Sequence, residues 1–136
     1  MIGLDTNVLV RYLVQDDARQ AVDAAKLLAR HCSKEEPGRI SLVVLCELAW
    51  VLSRAYRFSA PQIAGTIEKL LQTAELEIED ADTAWAALRL YRLESADYAD
   101  AVIGLRNRQA GCEVTATFDV AAAKLATFSD VARLIA

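Results

Sequence analysis

Little in this sequence suits a site built from imidazole or sulfur. There is one histidine, His31, and there are three cysteines, Cys32, Cys46 and Cys112. Three is an odd number, the spacing is wide, and no C-x-x-C occurs, which excludes a disulfide framework and a Cys/His zinc centre and points to a reducing compartment, the cytoplasm. Glycine (5) and proline (2) are scarce, so collagen-like repeats, flexible linkers and long disordered stretches are excluded as well. No apolar run approaches the roughly 18 residues that span a bilayer, and Met1-Ile2-Gly3-Leu4-Asp5 lacks the basic start and ~7–15-residue apolar stretch of a secretory signal. The expectation is a soluble, untargeted protein with no membrane partner. Positive charge is also in deficit: 15 Lys and Arg against 19 Asp and Glu give −4. That balance argues against holding nucleic acid through bulk charge. Two bound divalent cations would add about +4, however, so a nucleic-acid substrate is not excluded if some of the acids hold metal.

What the chain does have is a core. Its 136 residues are 54% hydrophobic, above the usual ~45–50%, and the length suits one domain, residues 1–136. The apolar opening at 2–4 meets the cap residues Asp5, Thr6 and Asn7, then Val8, Leu9, Tyr12 and Leu13 recur at helical spacing, which reads as strand then helix. Residues 17 to 32 predict an amphipathic helix with Ala18, Ala21, Val22, Ala25, Leu28 and Ala29 inward, broken by Pro37 and Gly38. A short strand follows at 39–41. Ser41 caps a helix from 42 to about 58 whose first ten residues are nearly all apolar, predicting burial on most sides. Ser59-Ala60-Pro61 opens a helix to about 73, and Leu76 and Ile78 alternate with glutamates as a half-exposed strand. Asp80 starts another helix, Ser95 or Asp97 caps one that runs to Gln109, and Gly111 stops it. Val114, Ala116 and Phe118 then alternate with Glu113, Thr115 and Thr117 in a strand ending at Asp119, and the tail holds a short helix and an edge strand. Strands separated by helices predict an α/β fold, a three-layer sandwich with a mostly parallel sheet of four to five strands, and in such folds ligands gather beyond the carboxyl ends of strands.

Most acids in the chain are explained by solvation, as in Glu35-Glu36 or Glu75, Glu77 and Glu79. Glu47 is different, because it stands between Leu42-Val43-Val44-Leu45-Cys46 and Leu48-Ala49-Trp50-Val51-Leu52; if buried, it needs a partner, either a cation or an arginine such as Arg54 or Arg11. Asp100 lies among small and apolar residues one turn into a helix, with Asp97 three residues earlier on the same face. Asp97 alone is also explained as a helix-dipole or capping acid, and Asp5 and Asp119, each at the carboxyl end of a predicted strand, as caps. Together they make a pattern of convergent carboxylates. Such groups repel one another unless some protonate or a cation intervenes, and a donor set of hard oxygens fits Mg²⁺ or Mn²⁺, ions that activate water and stabilise a leaving oxygen in phosphodiester cleavage.

The segments Ile2-Gly3-Leu4-Asp5-Thr6-Asn7-Val8-Leu9, Val44-Leu45-Cys46-Glu47-Leu48, Asp97-Tyr98-Ala99-Asp100-Ala101 and Thr117-Phe118-Asp119, in that order, resemble the PIN-domain ribonucleases, in particular the VapC-type toxins of bacterial toxin–antitoxin pairs. The resemblance covers essentially the full length. It implies a Mg²⁺- or Mn²⁺-dependent endoribonuclease whose acidic quartet falls on Asp5, Glu47, Asp100 and Asp119, with Asp97 as an accessory acid and Thr6, Asn7 and Thr117 orienting ligands or water. It further implies a homodimer and a cognate VapB-like antitoxin. Arg11, Arg54 and Arg108, with Arg39, Arg57, Arg106 and Lys124, are candidates for steering an RNA backbone; Tyr12 and Trp50 read as core residues at helical spacing, with base stacking as the alternative.

Two other readings compete. A phosphoaspartyl enzyme, similar to the haloacid-dehalogenase-like phosphatases, would use Asp5 as nucleophile, but such enzymes carry a second aspartate two residues on, where this chain has Asn7. A non-catalytic PIN-like module that docks RNA or protein would have no need of the acids.

Overall fold

A computed structural model describes all 136 residues, and they divide into two compact units, residues 1–81 and 82–136. The fold class is α/β, as the alternation of elements predicts, and every strand pair is parallel.

In the first unit, Asp5 caps α1 (Thr6–Val14), its side chain accepting from the Thr6 amide, and Leu9 and Val10 turn inward. Gln15, in the left-handed region at φ 60°, ends the helix by donating its N–H to the Arg11 carbonyl. Helix α2 (Ala18–His31) is capped by Asp17. Its predicted inward face is not the buried one: Ala24 is buried and Ala21 and Leu28 are half-buried, while Ala18, Val22, Ala25 and Ala29 are exposed. In a helix this rich in alanine the spacing of small residues marks no unique inward stripe.

Strand β1 (Gly38–Ile40) pairs in parallel with β2 (Leu76–Ile78), with Ile40 opposite Ile78. The predicted N-terminal strand contracts to a single parallel bridge of Gly3 to Arg39, held by Leu4 N–H to the Arg39 carbonyl and Arg39 N–H to the Ile2 carbonyl, both 2.8 Å. The chain leaves this ladder at Asp5 because the aspartate already caps a helix. Gly38 is required where it stands, since a Cβ there would lie 2.6 Å from Cys32 Sγ and 2.9 Å from Leu4 Cδ1.

Ser41 caps α3 (Leu42–Arg54) by accepting from the Val44 amide. The helix ends four residues before the predicted limit, in a turn closed by Phe58 N–H to the Leu52 carbonyl with Arg57 at φ 55°. It is not buried on most sides. Leu42, Leu45, Leu48, Ala49 and Leu52 face the core, whereas Val43, Glu47 and Trp50 face solvent. Helix α4 (Ala60–Gln72) begins with Ser59 as cap and Pro61 in its first turn, as read from the sequence, and Gln62 completes a capping box.

The second unit continues α5 (Ala81–Glu94) and contains α6 (Tyr98–Gln109), where Tyr98 is wholly buried and donates its hydroxyl to the Ala84 carbonyl at 3.0 Å. Gly111, at φ 100°, follows the end of α6. Strand β3 (Thr115–Thr117) pairs with β4 (Phe128–Asp130) in parallel, joined by a 3-10 turn at Ala122–Lys124, and α7 (Val131–Ile135) closes the chain. Ala96, Ala122, Leu125 and Phe128 pack into one cluster with Leu90. The predicted alternation in β3 holds, with the threonines on the inner face: Thr115 and Thr117 are half-buried, and Val114, Ala116 and Phe118 are exposed. Thr115 is held inward by the Asn107 side-chain amide, which donates to its hydroxyl at 2.9 Å.

Where α6 meets β4, the glycine at 104 makes room for Thr127: a Cβ would collide with Thr127 Oγ1 and stand 2.7 Å from Phe128 Cε2. The Thr127 hydroxyl is buried there without a hydrogen-bond partner. Gly104→Ala is expected to lower stability by about 1–3 kcal/mol through overpacking. Thr127→Val is expected to raise it by about 1 kcal/mol, because an unpaired buried hydroxyl is removed at nearly constant shape. Urea denaturation midpoints at constant m-value check both.

Candidate metal-binding acids

Asp5 and Glu47 belong to the first unit and are joined by one residue. Thr6 is buried; its backbone N–H donates to Asp5 Oδ1 at 2.8 Å and its hydroxyl donates to Glu47 Oε1 at 2.9 Å. The residue expected to orient ligands therefore fixes two carboxylates, one at the N-cap of α1 and one in the middle of α3. The expectation that Glu47 is buried is corrected: it lies on the exposed face of α3. Neither arginine weighed as its partner takes that role. Arg11 donates to Gln20, to Asp16 at 3.1 Å and to the Tyr56 hydroxyl at 3.2 Å, and Arg54 sits over the Trp50 ring, 5.8 Å from its centroid. Asn7 is exposed beside Asp5.

Asp97, Asp100 and Asp119 belong to the second unit. Asp97 occupies the N-cap position of α6 yet makes no side-chain capping bond, so capping does not account for it. Asp100 is half-buried in the first turn, and its carboxyl is pushed above the usual aspartate range, first by burial and then by the charges of Asp97 and Asp119. Burial, with the Asp97 charge added, also raises the Tyr91 phenol. Asp119 follows β3: its N–H donates to Thr117 Oγ1 and its Oδ1 accepts from the Ala122 amide, both at 2.9 Å. The expected capping role of Asp119 is thus real, and Thr117 shapes the turn that holds it.

The ion pairs Met1 amine–Glu36, Arg11–Asp16 and Arg39–Glu77 involve none of these five acids. Within either unit no group of three or more His, Cys, Asp or Glu side chains forms a ready cage for an ion. The donor chemistry nevertheless fits a divalent cation: the groups are all carboxylate oxygens, they are not neutralised by Lys or Arg, and one, Asp100, is driven toward protonation by burial and then by its acidic neighbours.

Several side chains stand apart from their expected roles. Tyr12 and Trp50, read as core, are 41% and 58% exposed, and Phe118 is 87% exposed. Arg108 donates to the Ala126 carbonyl at 3.1 Å. The Arg11–Asp16–Tyr56 cluster, completed by the Tyr56 hydroxyl donating to Asp16 at 2.8 Å, has no sequence signal, since Tyr56 is 40 residues from Asp16.

The raised Asp100 pKa has a defined consequence. A carboxyl that binds its proton more tightly folded than unfolded removes stability on ionising: none is lost below the unfolded value of about 3.9, the loss grows as pH rises toward the folded value, and it remains in full above it. Asp100→Asn is therefore expected to raise the thermal midpoint of the metal-free protein at neutral pH, with the gain disappearing in acid below about pH 3.5. Melting curves across that range check the prediction.

No curated protein matches the chain. A family model described as the PIN domain matches residues 2–127, a span that runs through both units and takes in Asp5, Glu47, Asp97, Asp100 and Asp119. On that match the chain belongs to the PIN domain family, a fold generally used by metal-dependent nucleases.

Proposed function

We propose that this PIN-domain nuclease is a Mg²⁺- or Mn²⁺-dependent endoribonuclease acting as a VapC-type toxin. In this reading residues 1–136 work as one domain, Asp5, Glu47, Asp100 and Asp119 hold the ion, and Asp97 assists. The observation that carries it is the Thr6 bridge, which ties the carboxylates of Asp5 and Glu47 together with neither of them in an ion pair; the Asp100 carboxyl, raised by burial and then by Asp97 and Asp119, agrees with it. A structural domain gains nothing from such an arrangement; a cation site does.

When bound, the ion supplies Lewis acidity toward water and the departing oxygen of a phosphodiester. The residues of the chain do the rest. Thr6 keeps Asp5 and Glu47 in fixed orientations through its N–H and hydroxyl, and Thr117 and the Ala122 amide do the same for Asp119. No side chain acts as nucleophile. Arg54, Arg108 and Arg11 are assigned to the RNA backbone, Arg54 being the one whose guanidinium makes no ion pair or hydrogen bond. A homodimer and a VapB-like antitoxin complete the proposal, which places the protein in the cytoplasm; no helix is long and apolar enough to cross a membrane.

Total RNA incubated with the purified chain and Mn²⁺ is expected to be cut, with cutting abolished by EDTA and by Asp5→Ala. Thr6→Val is expected to lower activity roughly 10- to 100-fold, with Thr6→Ser restoring most of it. Equal cutting by wild type and Asp5→Ala would overturn the assignment. Release of phosphate from p-nitrophenyl phosphate through an aspartyl phosphate at Asp5 would favour the phosphatase instead.

A further inference from the structure

The outward face of α3 carries more than Glu47. Trp50 and Arg54 follow it by three and seven residues, so the three side chains share one side of the helix over two turns, about 10.5 Å along its axis. This is the side opposite Leu45, Leu48 and Leu52, which are wholly buried. Trp50 is 58% exposed, and the Arg54 guanidinium lies 5.8 Å from its ring centroid without joining any ion pair of the chain.

An exposed indole beside an uncommitted guanidinium combines the two groups that hold single-stranded nucleic acid: a flat apolar ring for a base and a fixed cation for a phosphate. A purely apolar partner would satisfy the ring while taking the Arg54 charge out of water unpaired. A protein laid over this face would also cover Glu47. A nucleotide meets both needs, because each base of RNA comes attached to a phosphate.

We propose that Trp50 and Arg54 form a nucleotide subsite on the Glu47 side of α3, the indole stacking on an RNA base and the guanidinium contacting the adjoining phosphate. The proposal rests on the ribonuclease reading for its choice of substrate, and it makes Trp50 a positioning residue for the strand to be cut.

Binding tests it separately from cleavage. The probe is a fluorescein-labelled, mixed-sequence single-stranded RNA 12-mer in Ca²⁺, with its length checked on a gel afterwards, alongside an abasic strand of the same backbone. Trp50→Ala is expected to weaken binding of the RNA roughly 5- to 150-fold, as loss of one stacked base does, with little further loss on the abasic strand. Trp50→Phe is expected to stay close to wild type. Arg54→Ala is expected to reduce the salt slope of binding by about 0.7, the share of one phosphate contact on a single strand, with Arg54→Lys retaining it. In Trp85→Phe, where Trp50 is the only tryptophan, RNA is expected to quench emission and the abasic strand is not. Should the RNA bind without quenching and with equal affinity to wild type and Trp50→Ala, the subsite is overturned. It is also overturned if wild type does not bind the RNA, or if Trp50→Ala alters only the oligomeric state, which would make this face an interface between copies. Base-dependent loss at Trp50→Ala in a protein that cuts no RNA would uphold the subsite while the nuclease reading falls.

Discussion

Burial of one carboxyl beside two others sets the chemistry of the second unit. Asp97 sits at the entrance of α6 with no capping bond, Asp100 follows within the first turn, and Asp119 is held at the end of β3 by the Thr117 hydroxyl and the Ala122 amide. The helix dipole favours an acid in that first turn by a fraction of a kcal/mol at an exposed site. Burial of Asp100 and the charges of its neighbours act in the opposite direction and prevail, since its carboxyl is raised. An arrangement that works against its own ionisation is characteristic of a site whose stability is completed by a ligand.

The first unit solves a different problem. Its two candidate acids, Asp5 and Glu47, lie far apart in sequence and are related through a single threonine, Thr6, which is 41 positions from Glu47. Asp5 is available for this because the N-terminal ladder is only one bridge long and yields at once to α1. The short ladder thus ends where Asp5 leaves it to cap a helix. The same economy appears at Asp119, two residues beyond the end of β3.

Local signals were legible in the sequence wherever one residue type decides the outcome. The Ser59 cap, the Ser41 cap, the Asp5 cap and the Gly111 stop all occur where the residues place them, and the PIN family was legible in the order of the acid-bearing segments. Facing was harder to read. Glu47 looked buried because its neighbours in sequence are apolar, yet α3 has enough leucine on one side to fill the core and leaves Val43 and Trp50 in solvent. In α2 alanines lie on every side, so hydrophobic spacing selects no face. In β3 the buried set is threonine, held by the hydrogen bond from Asn107 that composition does not reveal. Long-range polar ties such as Arg11–Asp16–Tyr56 are products of the fold and leave no local trace.

Thr6 has a consequence for dynamics. Its amide is the first donor of α1 and its hydroxyl reaches α3, so fraying of that one turn releases Asp5 and Glu47 in the same event. Helix ends open more readily than helix interiors, and the rate at which this single amide proton trades with deuterated solvent reports how often the two carboxylates are let go together.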